Sequence, residues 1–376
     1  MNISIEMKHC EHICPCCGFP TKSVHDYRYQ NIKDIAAFGK NVILIYRKRR
    51  YVCQSCKKRF SENHPFVPRY YRMTSRLIEN ILSMLSEPYS FTSVAKLNNT
   101  SVSTTIRIFD LINYSQPSKP PEALAIDEFK GNTGKEKYQC ILTDPLRKQI
   151  VDILPSRNSV ELTHYFSKWK REERHKVKYF VSDMWKPYAE LANTFFKESI
   201  QFVDKYHYIR QAIWAFEAVR KRIQTKYSKQ YRLAFKHSKR MLMKRFDNLK
   251  PLSKEKVNNL LYISPELLEA HTLKENFLKI IDEKETAVAK RMLKGWIYAA
   301  PNSNLTEFKK CSNTYINWQT GIFNTFDYNY TNGFTEGCNN KIKVLKRNAY
   351  GYRNFNRFRN RIMFMFNNRT RKISAA

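Results

Sequence analysis

Three carboxylates in this sequence stand where chemistry could use them. Asp127 lies inside the apolar run EALAIDEFKG, Asp183 closes VKYFVSD, and Glu336 opens the amphipathic stretch FTEGCNNKIKVLKR. A carboxylate carried into or to the end of a buried strand is costly unless something positive offsets it. In an open α/β sheet, strand ends are also where sites form. At helical spacing Glu336 shares a face with Asn339, Asn340, Lys343 and Arg347, while Cys338, Ile342 and Leu345 form an apolar stripe suited to packing on a sheet. No Asp or Glu follows Glu336, whereas Lys341, Lys343, Lys346 and Arg347 follow it closely. Three carboxylates so gathered suit two hard divalent cations, Mg²⁺ or Mn²⁺, about 4 Å apart. One cation would lower the pKa of an attacking water and the other would stabilise a leaving 3′ oxygen, with a scissile phosphate laid across the basic face. The protein's part in such phosphoryl transfer is position and charge.

A second constellation is built of sulfur. Cys10, Cys14, Cys16, Cys17, Cys53 and Cys56 all fall before residue 57. Clustered CxxC pairs in a reducing compartment are metal ligands more often than disulfides. Cys14, Cys17, Cys53 and Cys56 are the expected ligands of one structural Zn²⁺, with Cys16 able to replace a neighbour. Between the two pairs runs NVILIYRKRRYV, a β-branched and aromatic strand that would deliver Cys53 to its turn. The ribbon so formed would present Arg47, Lys48, Arg49 and Arg50 to phosphates.

Other elements must position these groups. TSRLIENILSMLSE puts Leu77, Ile81, Leu82 and Leu85 on one helical face. SFTSVAKLNNTSVSTTIRIFDLI then reads as helix, polar turn at 98–100 and second helix, the pattern of a helix-turn-helix. Ser103, Thr104, Thr105 and Arg107 would face bases or phosphates. SQPSKPPEA is a Pro-rich linker and the clearest domain boundary. Beyond it come three strands, then helix and strand in alternation, which is the order of an RNase H-like α/β core. A long stretch rich in Lys, Arg and Tyr then interrupts that core. The expected domains are a zinc ribbon at 1–65, an all-α helix-turn-helix domain at 66–114 and a linker at 115–122. The core follows at 123–207, a helical insertion at 208–330, and the core's last part with a basic tail at 331–376. His207 could position a phosphate or a water, or could be a structural histidine beside Asp204. Trp296 could stack on an unpaired base or belong to the core.

Composition bounds the partner. Lys and Arg number 67 against 33 Asp and Glu, a formal charge of +34 with a pI near 9.8. Such an excess repels itself unless a polyanion is present, so nucleic acid is the expected partner. No apolar run approaches the roughly 20 residues needed to span a bilayer, and MNISIEMKHC lacks the apolar segment of a signal peptide. A cytoplasmic, nucleoid-associated protein without a membrane partner is therefore expected.

With these residues in view, the chain resembles bacterial insertion-sequence transposases of the ISL-three family over nearly its full length. The resemblance is carried by the CPxC and CxxC pairs, AIDEFK, VSDMWKPY, DKYHYIR and NGFTEGCNNKIKVLKR. It implies an RNase H-like core with Asp127, Asp183 and Glu336 as a DDE triad. Asp204-Lys205-Tyr206-His207 would be the acid-x-x-His run found after the second Asp in related groups. It also implies an enzyme, at least dimeric on DNA, that cuts at the terminal inverted repeats of its element and joins the 3′ ends to target DNA. Two alternatives are a non-enzymatic ribbon and helix-turn-helix regulator, which leaves the placed acids without purpose, and an RNase H-like nuclease that does not join strands.

Overall fold

The computed structural model describes residues 1–133, 136–328 and 333–367. The chain divides into two compact units, residues 1–115 with 132–134 and 340–376, and residues 116–131 with 135–339.

In the first unit a short strand β1 (Asn2–Ile5) is followed by the knuckle strands β2 (His12–Ile13) and β3 (Pro20–Thr21). A long hairpin of β4 (Val24–Ala37) and β5 (Lys40–Val52) comes next, then β6 (Arg59–Ser61). NVILIYRKRRYV is β5, as expected; it forms a hairpin with β4 between the two cysteine pairs, and β1 and β6 from outside that segment both pair with it. Alternation explains it: Val42, Leu44 and Tyr46 of β5 turn inward onto Ile32 and Val67. Phe38 and Gly39 both take positive φ, the two-residue turn whose twist matches its flanking strands. Helices α1 (Ser75–Leu85), α2 (Phe91–Leu97) and α3 (Val102–Phe109) follow. Their N-caps Thr74, Ser90 and Ser101 each accept a backbone N–H of the first turn. Leu77, Ile81 and Leu85 are buried against Val94, Ile108 and Phe109. Asn99, left-handed at φ 50°, breaks the chain between α2 and α3. The ribbon hairpin and α1 are joined at buried Asp34, which accepts from Thr74 Oγ1 at 2.6 Å and from Arg76 Nε at 2.7 Å. These bonds hold the Asp34 carboxyl below its ordinary range against the opposing effect of burial.

The second unit holds a five-stranded sheet of β7 (Ala123–Thr133), β8 (Glu136–Asp144), β9 (Gln149–Leu154), β10 (Tyr179–Ser182) and β11 (Ile200–Val203), in the order β11-β10-β7-β8-β9. Helices α4 (Ser159–Ser167), α5 (Arg171–Arg174) and α6 (Lys186–Phe195) connect the later strands. Leu162, Phe166, Tyr188 and Leu191 from α4 and α6 pack on Leu124, Ile126 and Phe180 of the sheet. The start of the linker is tied down: Trp169 Nε1 donates to Pro117 O at 2.7 Å.

The helical block comprises α7 (Lys205–Gln224), α8 (Lys229–His237), α9 (Lys239–Met243), α10 (Pro251–Ile263), α11 (Pro265–Asp282), α12 (Thr286–Ala299), α13 (Thr306–Asn317) and α14 (Gln319–Asp327). Its core includes Phe216, Phe277, Trp296 and Tyr315. Trp296 is 6% exposed and donates to Leu273 O at 2.9 Å, so it is a core residue. Gly321 of α14 lies where an added Cβ would come within 3.0 Å of Val203, which lets the helix approach β11 closely. Next comes α15 (Gly333–Asn348), and the two units divide within it between Asn339 and Asn340. The last helix, α16 (Phe355–Asn367), puts Phe364 among the buried residues of α1, α2 and α3. Where the sequence groups 331–376 with the core, the part from Asn340 onward falls in the first unit.

Candidate functional site

Three parallel strands bring three carboxylates level. β10 pairs with β7 in the register Val181↔Ala125, and with β11 in the register Ser182↔Val203. Continued by one or two residues, the same offsets set Asp183 beside Asp127 on one side and Asp204 on the other. Ala125, Val181 and Phe202 form a buried patch two positions earlier on that face. Apolar residues therefore lie beneath a rim of three acids, Asp127 within β7 and Asp183 and Asp204 just past the ends of β10 and β11.

Burial pushes the Asp127 carboxyl up to about 7, with Asp183, Asp204 and Glu128 adding repulsion and the Glu128 N–H opposing at 2.8 Å. Burial and Glu128 raise Asp183 to about 6, against the Trp185 N–H at 3.1 Å and the Arg157 guanidinium. Crowded oxygen donors whose ionisation is disfavoured in this way are what a divalent cation would relieve. Asp127 and Asp183 supply oxygen donors of the kind such an ion takes. Arg157, whose Nη1 donates to Glu128 at 2.5 Å, lies 4.9 Å over the Trp185 ring. No sequence pattern marks this arginine.

α15 is docked onto the sheet by its first two turns. Asn339 Nδ2 donates to Asp127 Oδ2 at 2.8 Å, and the Thr335 and Thr143 hydroxyls meet at 2.8 Å. Glu336 lies exposed, one turn before Asn339 and on the same face. Lys343 and Arg347 are exposed on later turns and Lys346 is half-buried. Among the described residues, the cysteine group below is the only set of three or more such side chains gathered as a metal-holding cluster, and the three acids are not one.

Asp204 caps α7, and the His207 Nε2 stands 3.7 Å from its Oδ2, longer than a hydrogen bond. Burial and then Arg210 lower the imidazole's pKa, which keeps the ring neutral.

In the ribbon, Cys14 and Cys56 sulfurs are 3.6 Å apart and those of Cys17 and Cys53 are 3.5 Å apart, all four within 4.8 Å. Zn–S bonds of ~2.3 Å at tetrahedral angles require sulfurs ~3.8 Å apart, so the set fits zinc. Both knuckles close alike: Gly18 N donates to Cys14 O and Lys57 N to Cys53 O, with φ of 73° and 58° at Gly18 and Lys57. Cys16 is exposed and outside the four.

The basic residues of β5 divide. Arg49 is 5% exposed and committed to Glu6, Glu62 and Met7 O, so the expectation that it faces phosphates is corrected by its burial. Arg47 pairs with Glu6 at 3.2 Å and lies over the Tyr27 ring, and Arg50 pairs with Asp26 at 3.0 Å. On α3, Ser103 and Arg107 are exposed and Thr104 is half-exposed, but Thr105 is buried and bonded to Ser101 O at 3.2 Å. Thr105 therefore faces the core and not DNA.

Comparisons with known proteins come to the same regions. A family model described as a transposase matches residues 124–362, and a zinc-finger of transposase IS204/IS1001/IS1096/IS1165 matches residues 11–56. A helix-turn-helix domain of transposase family ISL3 matches residues 62–113. The chain is similar to the transposase for insertion sequence element IS1001 of Bordetella parapertussis. The two are 24% identical over 351 residues, 91% of this chain and 85% of that protein. It is also 35% identical over 113 residues to a protein of Lactococcus lactis subsp. lactis named an ATP-dependent protease, covering 30% of this chain and 34% of that one. No G-x-x-x-x-G-K-[ST] phosphate loop occurs in the present sequence.

Proposed function

Because the chain belongs to the transposase family ISL3, we propose that it works as a DDE enzyme on an RNase H-like core. It binds the terminal inverted repeats of its own insertion sequence, cleaves there and joins the 3′ ends to target DNA. The observation that supports this most is the placement of Asp127, inside β7, level with Asp183, just past the end of the adjacent parallel strand β10, with the Glu336 helix held to Asp127 through Asn339. Asp127, Asp183 and Glu336 would hold two divalent ions, Mg²⁺ or Mn²⁺, and Cys14, Cys17, Cys53 and Cys56 one Zn²⁺. When bound, the divalent pair supplies Lewis acidity for phosphodiester cleavage and for attack by the 3′-OH.

The chain's own residues supply order. Asn339 fixes one oxygen of Asp127 and the Glu128 N–H the other. The Arg157–Glu128 pair balances charge beside Asp183. Neutral His207 can accept a hydrogen bond and orient water or a phosphate at the rim. Lys343, Lys346 and Arg347 continue the Glu336 helix as a track for the DNA backbone. Arg47, Arg50, Ser103, Thr104 and Arg107 contact the element ends. Two ends must be held together, so the active form on DNA is a homodimer, in the cytoplasm where the nucleoid lies. A regulator would need none of the rim acids.

The test is a set of isosteres. Asp127→Asn, Asp183→Asn and Glu336→Gln should each cut cleavage and strand transfer by several orders of magnitude while end binding persists. Glu190→Gln on α6 should be near wild type. Full cleavage by purified Asp127→Asn protein would end the DDE reading.

A further inference from the structure

The helix that begins at Asp204 carries an unassigned feature. On α7, Tyr206, Arg210 and Trp214 follow one another at i, i+4 and i+8, a single stripe along the helix. The two aromatic rings are each 49% exposed, although most described aromatics of this unit are buried or half-buried. Between them lies the Arg210 guanidinium, 5.4 Å from the Tyr206 ring centre and 4.0 Å from that of Trp214. No carboxylate pairs with Arg210 among the described residues. Its charge is felt instead by His207, which it disfavours in the charged form. The stripe therefore starts at the acid rim and leads outward. Trp214 lies ten residues past Asp204, about 15 Å along the helix.

We propose that Tyr206, Arg210 and Trp214 form a stacking platform for unpaired bases of the DNA strand whose phosphate lies at the acid rim. The inference rests on the function proposed above. Exposed aromatic faces are costly in water, and a flat nucleobase is the planar apolar ligand that a strand-processing enzyme meets. A guanidinium over an aromatic ring adds a cation to the same face, so the platform attracts both the base and its phosphate. A reach of about 15 Å spans some four stacked bases at the usual ~3.4 Å spacing. Trp296, the tryptophan that the sequence offers for stacking, is buried and bonded to Leu273 O.

The test uses the full-length protein without divalent cations, so that cleavage does not enter. The probes are a blunt duplex of the element end and a fork of the same sequence with one single-stranded arm, carrying 2-aminopurine at successive arm positions. Wild type should prefer the fork and quench the fluorophore. Trp214→Ala should lower fork affinity about five- to hundredfold, lose the quenching and leave blunt-duplex binding unchanged. Trp214→Phe should restore most of both. Tyr262→Ala, which removes a 90% exposed tyrosine elsewhere in the helical block, should change nothing. Equal binding of fork and blunt duplex by wild type overturns the proposal, as does a fork preference that survives Trp214→Ala. So does an equal loss on both probes. Cleavage by the Asp127→Asn protein would sink the DDE reading instead, and the fork preference would still be scored separately.

Discussion

The surroundings of Asp127 and Asp183 raise both carboxyls well above the ordinary carboxylate range. Their carboxyls stand at about 7 and about 6 against an ordinary 3.8. A raised carboxylate stabilises the fold below its unfolded pKa, and that contribution is lost as pH climbs through the folded value, because the unfolded chain gives up its proton first. Without added Mg²⁺ or Mn²⁺, the contribution of these two groups to the melting temperature should therefore fall between about pH 4 and pH 7. Asp127→Asn should flatten that fall and, at pH 8 without metal, melt above wild type while remaining inactive. Mg²⁺ should raise the melting temperature more at pH 8 than at pH 5, since it competes with the protons. Because Asp34, Glu217, Glu266 and Glu307 are held low and act in the opposite sense, the measure is the difference between wild type and Asp127→Asn, and a difference that stays constant across this window would contradict the crowded rim. The sequence exposes these acids because an Asp in an apolar strand has few innocent uses. It could not separate Arg49 from Arg47 and Arg50, since burial of one arginine depends on Glu6 and Glu62 arriving from elsewhere. Nor could it tell which tryptophan stays in solvent.

At the scale of elements, local pattern sufficed wherever an element carries its own signal. The caps Thr74, Ser90 and Ser101 and the apolar face of α1 are written in adjacent residues, and the structure bears out those helices. β4 is less legible, because VHDYRYQNIKDIAA scatters Asp26, Arg28, Lys33 and Asp34 among its apolar residues and shows its alternation only once paired with β5. The partner of α16 is not legible at all. Its packing joins residues far apart in sequence, with Phe364 against Phe109 at 5.8 Å and buried Arg361 donating to Glu87 O at 2.8 Å and Tyr89 O at 2.9 Å. Phe364→Ala should consequently destabilise the helix-turn-helix unit by roughly 3–5 kcal/mol and lower end binding, with the sheet of the second unit still folded. Proteolysis that instead nicks the second unit first would refute this. The ribbon makes a parallel case. Cys53→Ser removes one of four thiolates that hold a small segment together, so it should release zinc and weaken end binding without unfolding the second unit. Freshly purified wild type lacking zinc would refute the metal site.

Across the whole molecule the excess of 34 positive charges is the strongest constraint that composition alone imposes. Folding spends some of it internally. Arg222 bonds both Glu266 and Glu307, Lys274 is buried against Glu275, and Arg357 bonds Asp110. Because acids are scarce, most lysines and arginines have no such partner to meet, and their repulsion is relieved only when phosphates arrive. The match of family models to the ribbon, the helix-turn-helix and the catalytic region gives those phosphates an identity as DNA. A protein that neutralises six or more phosphates should show a log–log slope of binding against salt of about −5 or steeper. Replacing Arg47 or Lys343 by Ala should make that slope shallower by about one and weaken specific and random DNA alike. Replacing Ser103 and Arg107 together should instead reduce the discrimination between element ends and random DNA, each base contact being worth about 1–3 kcal/mol. Filter binding or anisotropy over a salt series separates the two effects. A slope near zero would show that the charge is not a DNA path, and discrimination that survives the Ser103/Arg107 double change would move end recognition from α3 to the ribbon.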